Sequence, residues 1–172
     1  MLAIWEGATP NHPRLNEYLE YRGLSTTPPD ALRLHPSLEY WYEGKSYGKF
    51  ACMVARIIKE GELVGIHRTF LDPGGPGKAP ISKPKLSKKC ADTMSGGSIR
   101  LFEPEADKPL VLCEGIESSL AVHEITGFPV WSCINSTMLG KVVLPHNTNS
   151  IIIGADLDRS GAGQESAEKL GR

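Results

Sequence analysis

The sequence predicts an α/β chain: a parallel sheet flanked by helices in the last third, preceded by a smaller strand-rich antiparallel block. Three observations predict it. Two short apolar runs, residues 110–113 and 150–155, each end abruptly in acid and glycine, as buried parallel strands do at the open end of a sheet. From residue 110 onward the elements alternate strand, helix, strand, helix, strand, helix, which implies crossover connections. Residues 40–71 hold three runs rich in aromatic and β-branched residues, separated by short turns.

Taken in order, residues 3–24 read as a helical opening. Pro13 suits a helix start, Leu15, Tyr18, Leu19 and Arg22 recur at helical spacing, and Gly23 is a fitting stop. Trp5 and Leu24 are expected to pack against this helix. Residues 25–37 are turn-rich and end in a short apolar piece at His35-Pro36. Strands follow at 40–42, 50–58 and 63–71, the last two joined by a hairpin turn at 59–62 that contains Gly61. Alternation places His67 and Arg68 on opposite faces, and His67 reads as a core or edge histidine. Residues 72–98 read as a long basic loop, carrying Lys78, Lys83, Lys85, Lys88 and Lys89, that is mobile unless a ligand orders it. A short strand at 98–102 and a Pro- and acid-rich stretch at 103–109 give a division into 1–105 and 106–172. In the second part we expect strands at 110–113, 130–134 and 150–155. Helices are expected at 117–126, stopped by Gly127, and at 163–170, with a short helix or turn at 136–143.

With 172 residues, 40% of them hydrophobic and 23% charged, the chain can bury a globular core. No run approaches the ~18 apolar residues of a membrane span, and the first residues do not form a signal peptide. The cysteines, Cys52, Cys90, Cys113 and Cys133, form no C-x-x-C pair, so a zinc site is not expected. Free thiols in apolar runs suit a reducing cytoplasm. The net charge of −1 conceals an asymmetry. Residues 56–100 carry 9 basic and 4 acidic side chains, whereas residues 101–172 carry 5 and 10. A basic middle beside an acidic end suits a polyanion held by one part and a metal held by the other.

The acids give that metal a place. Asp156 and Asp158 flank Leu157 at a strand end, so alternation points both carboxylates the same way. Glu114, at another strand end, joins them if the two strands are neighbours. Such oxygen ligands suit Mg²⁺, which leaves several coordination positions to water and phosphate oxygens, so a phosphate-bearing substrate is implied. An EF-hand starting at Asp156 fails because its twelfth position is Ala167. An aspartyl nucleophile of the haloacid-dehalogenase type fits poorly, since only 14 residues follow Asp158. The run Gly74-Gly-Pro-Gly-Lys78 fails as a P-loop, with Asp72 and Ala79 at positions that need Gly and Ser or Thr.

The residues Glu114-Gly-Ile-Glu-Ser-Ser-Leu, the strand ending in Asp156-Leu-Asp158-Arg-Ser-Gly161, and the β/α order between them resemble the Toprim domain. That domain is shared by DnaG-type primases, type IA and type II topoisomerases and OLD-type nucleases, and the Asp-x-Asp-Arg-x-Gly form is closest to the primases. Upstream, Ile4-Trp5, Tyr18-Leu-Glu-Tyr-Arg-Gly23, Leu32-Arg-Leu-His-Pro36 and Gly65-Ile-His-Arg-Thr-Phe-Leu71 resemble the region before Toprim in primase-helicases of phages, plasmids and integrative elements. The resemblance implies a DNA primase fragment that makes RNA primers on single-stranded DNA. It gives Glu114 the general acid/base role, Glu114, Asp156 and Asp158 the metal (Mg²⁺ or Mn²⁺), and Glu117 the place of a candidate second acid. Arg68, Lys78, Lys85, Lys88, Lys89 and Arg159 become candidates for holding template or nucleoside triphosphate. The family pattern has an acid where this chain has Ser118, and Gly in the second-strand loop where this chain has Asn135-Ser-Thr137. A zinc ribbon before the chain, a helicase domain or partner after it, and a Toprim domain truncated at its C-terminus are expected. The other readings are a Toprim nuclease or topoisomerase relative and a nucleic-acid-binding module with a vestigial metal site.

Overall fold

The structure, a computed structural model, describes residues 2–146 and 148–154. The expected helix at 163–170 lies outside the described residues, as do Asp156, Asp158 and Arg159. Two short helices open the chain, α1 (Leu2–Glu6) and α2 (Pro13–Tyr21). Pro13 stands in the first turn of α2, where a missing N–H costs nothing, and the His12 ring accepts from the Arg14 N–H at 3.1 Å. Gly23, at φ 78°, turns the chain out past the helix end.

The first sheet is antiparallel throughout, in the order β1 (Leu32–Tyr42), β2 (Lys45–Lys59), β3 (Glu62–Phe70), β4 (Lys85–Lys89). Each of its first two hairpins turns on two residues with positive φ, Glu43-Gly44 and Glu60-Gly61, the geometry that matches the strands' right-handed twist. The sequence reading placed a turn-rich segment before residue 38, but one strand runs from Leu32 through Pro36. Proline is tolerated there because β1 is an edge strand and its register shifts between His35 and Leu38.

The expected basic loop over 72–98 also needs correction. Residues 85–89 form β4, paired with β3 from Thr69↔Lys85 to Gly65↔Lys89. The preceding segment is tied down as well. The Ala79 N–H donates to the Phe70 carbonyl, the Phe70 N–H to the Pro84 carbonyl, and Arg14 donates to the carbonyls of Asp72, at 2.7 Å, and Gly75. Hydrogen bonds to segments distant in the sequence, invisible to local pattern, hold the segment in place.

The second sheet has the order β5 (Ile99–Arg100), β7 (Val130–Ser132), β6 (Leu110–Cys113), β8 (Ile151–Gly154). β6 runs parallel to both neighbours, and β5 runs antiparallel to β7. Helix α3 (Ile116–Thr126) connects β6 to β7, and Gly127 ends it at φ 66°. The short α4 (Ser136–Leu139) is capped by the Asn135 side chain, which accepts from the Met138 N–H. No helix among the described residues is long and apolar enough to cross a membrane.

One core joins the sheets. Leu15 and Tyr18 of α2, Met53 and Ile57 of β2, Val111 of β6 and Leu120 of α3 are buried in a single cluster. The other face of the first sheet buries Trp5 with Tyr40, Val54, Ile66 and Phe70. Trp5 therefore does not pack on α2 as expected; it lies across the sheet from that helix, with Arg33 and Arg56 stacked on its ring at 4.3 and 4.6 Å. Reciprocal hydrogen bonds between Ile58 and Ser98, at 2.8 and 3.0 Å, seam the sheets together. Beside this seam a Cβ on Gly97 would meet the Ile57 and Val64 methyls at 2.8 and 2.9 Å.

A shared core predicts shared unfolding. Leu120 is fully buried within it, so Leu120→Ala is expected to cost about 2–5 kcal/mol in urea denaturation. Tryptophan fluorescence and far-ultraviolet circular dichroism are expected to report one coincident transition. Separate transitions for the two sheets would contradict the shared core.

Candidate active site

β6 is buried along its whole length, with Val111 and Cys113 facing one core and Leu110 and Leu112 another. The chain becomes polar only where the strand stops, at Glu114. Gly115, with extended backbone, then caps α3, and Glu117 sits in the helix's first turn, where the dipole favours a carboxylate. The Glu114 carbonyl accepts from the Ser132 hydroxyl at 2.8 Å, which fixes the turn against β7. On the other side β8 pairs with β6 up to Cys113↔Gly154. The contact there is close: a Cβ on Gly154 would lie 2.8 Å from the Cys113 sulfur. The strand adjacency required for Glu114 to join Asp156 and Asp158 is therefore present, although the two aspartates lie outside the described residues. Among the described residues no three His, Cys, Asp or Glu side chains are grouped as a metal site.

Glu117 is the centre of a tight cluster. Its carboxylate accepts from the Tyr18 hydroxyl at 2.5 Å and from Lys85 Nζ at 2.9 Å, with Lys78 Nζ at 3.3 Å. Only 11% of its side chain is exposed. Burial alone would raise its carboxyl, but the Lys85 charge, the Tyr18 hydroxyl and its own backbone N–H outweigh burial and hold it at about 2. Burial, and then the Glu117 charge, push the Tyr18 hydroxyl far up, so Tyr18 remains a donor. For Lys78 burial lowers the ammonium against the opposing pull of Glu117. His67 lies on the same face of the first sheet, its Nδ1 2.9 Å from the Ser87 hydroxyl. Burial, reinforced by the Lys85 charge, takes it down to about 4, which leaves it neutral at pH 7.

The structure divides the basic candidates. Lys78 and Lys85 converge on Glu117. Lys89 shares the face of Lys85 by register and reaches the Asp92 carbonyl at 3.0 Å. Arg68 and Lys88 lie on the opposite face; Arg68 stacks over Phe70 at 5.7 Å, away from the acids. Tyr18 was read from the sequence only as a core position. Its amphipathic ring was the available signal, because a buried tyrosine hydroxyl needs a partner.

The fold is that of a primase fragment, with Glu114 at the end of β6 inside a stretch that matches a Toprim domain. Residues 109–172 match the Toprim domain. The chain belongs to the family described as a domain of unknown function, DUF7146, matched over residues 1–101. No curated protein matches it in sequence. Among solved structures it is similar to the primase fragment of the bacteriophage T7 primase-helicase protein, with a TM-score of 0.51 and 18% identity. That similarity covers 90% of this chain and 54% of the T7 fragment, so the chain spans about half of that fragment's length. It is also similar to a chain from the assembly of the bacteriophage T7 lagging-strand DNA polymerase with primase domains of two gp4 subunits, bound to an RNA/DNA hybrid and dTTP. There the TM-score is 0.48 at 17% identity, over 91% of this chain and 68% of that one.

The Glu117 cluster predicts a pH signature. A folded value of about 2 against the ordinary 4.5 means that its contribution is complete above 4.5, declines as pH falls, and is gone below about 2. The stability difference between wild type and Glu117→Gln in urea denaturation is expected to follow that course. The loss due to His67, between 6.5 and about 4, occurs in both proteins but cancels only in part, because the Glu117 charge that opposes the lowering of His67 is absent from the variant.

Proposed function

We propose that this chain is part of a DNA primase and carries out metal-dependent nucleotidyl transfer, making RNA primers on single-stranded DNA. The observation that carries the reading is Glu114 at the end of β6, one strand from the run that leads to Asp156 and Asp158, with two lysines gathered at Glu117. Three carboxylates form an all-oxygen donor set, which suits Mg²⁺ or Mn²⁺. When bound, the metal supplies charge neutralisation on the transferring phosphate. Glu114, Asp156 and Asp158 would hold it. Glu114 also manages the proton of the attacking 3′-hydroxyl, and Lys78 and Lys85 hold phosphate oxygens of the incoming nucleoside triphosphate. The exposed Lys88 and Lys89, together with Arg68 and Arg159, remain candidates for the template backbone, a sequence-independent role that cations serve. The likeness to a primase-helicase fragment supports a helicase domain or partner, and the free thiols suit a cytoplasmic setting.

The test is primer synthesis from labelled ribonucleoside triphosphates on single-stranded DNA with Mg²⁺. Glu114→Gln and Asp156→Ala are each expected to lower the rate at least ~100-fold, with melting temperature retained. Unimpaired synthesis by Asp156→Ala would sink the proposal. Mg²⁺-dependent DNA cutting without nucleoside triphosphates would instead identify a Toprim nuclease.

A further inference from the structure

Glu117 draws its partners from three separate segments: Tyr18 from α2, Lys85 from β4, and Lys78 from the stretch between β3 and β4. One lysine would neutralise one carboxylate. This site has two, so the trio of Glu117, Lys78 and Lys85 carries a surplus positive charge. The surplus is reachable, since 27% of the Lys78 side chain and 36% of the Lys85 side chain are exposed. Each ammonium has three donors and spends one on Glu117, which leaves donors for an anion without breaking the pair. Without the carboxylate, two like charges would face each other in a half-buried place, and two long side chains would swing apart.

We infer that Glu117 is a positioning residue: it holds Lys78 and Lys85 side by side as a preset pair for a polyphosphate, and it is not a metal ligand. The identity of that polyphosphate as part of a nucleoside triphosphate rests on the primase reading; the pairing does not. The arrangement converts flexible lysines into fixed donors three residues along the chain from Glu114, where preorganisation lowers the cost of binding.

The experiment is calorimetric titration of the 172-residue chain with tripolyphosphate, which carries the charge pattern without base or sugar. Glu117→Gln is expected to weaken binding ~10-fold, and less than about twofold when Lys85→Gln is already present, because Glu117 acts through the lysines. If the Gln variant melts early, Glu117→Asp keeps the charge but withdraws it by one methylene, with about a threefold loss expected. Unchanged or tighter binding by Glu117→Gln, an equal loss in the Lys85→Gln background, or no binding by wild type would each overturn the assignment. Primer synthesis separates the two claims. Synthesis by Glu117→Gln with an unaltered KM for nucleoside triphosphate would overturn the positioning role alone. Expected tripolyphosphate behaviour without any primer synthesis would leave it standing and remove the primase reading.

Discussion

Burial of β6 on both faces is the constraint from which the rest of the site follows. A strand covered by apolar packing above and below has no room for a charge along its length. Polar chemistry can emerge only at its ends. At the end that meets α3 the chain supplies Glu114, a glycine that starts the helix, and Glu117 one residue into it. β7 and β8 flank this end in parallel, so their chain exits gather at the same edge of the sheet.

The first sheet contributes the complementary charge, through register. Lys85, Ser87, His67 and Thr69 share the face turned toward α3, while Arg68, Lys88 and Leu86 share the other. A one-residue slip of β4 would exchange these sets and carry Lys85 away from Glu117. The hydrogen bonds of Phe70 with Pro84 and Ala79, and the hold of Arg14 on Asp72 and Gly75, resist that slip. The basic segment thus carries two kinds of cation. Some are fixed by a carboxylate partner, and others, such as Lys88, stand exposed on the sheet edge.

Much of this was legible in the sequence. The apolar run ending in Glu114, the helix stopped by Gly127 and the hairpin at Glu60-Gly61 all rest on local signals, and the structure has them. Two features were not legible, for one reason. β4 contains Lys85, Lys88 and Lys89 and shows little apolar alternation, so only its pairing with β3 makes it a strand. Likewise Tyr18 reads as one apolar position of α2, and its bond to Glu117 joins residues 99 apart in the chain. Sequence periodicity reports which face is buried; it does not report which distant polar group meets that face.

The proposed divalent metal would sit where β6 and β8 end. Iron-directed cleavage tests it most directly. Fe²⁺ replaces Mg²⁺ in the full chain, ascorbate and peroxide generate hydroxyl radicals at the bound ion, and mass spectrometry locates the backbone cuts. The account predicts cuts beside both Glu114 and Asp156, suppressed by excess Mg²⁺ and lost in Glu114→Gln. Cuts confined to other segments, or cuts that Mg²⁺ does not suppress, would contradict it.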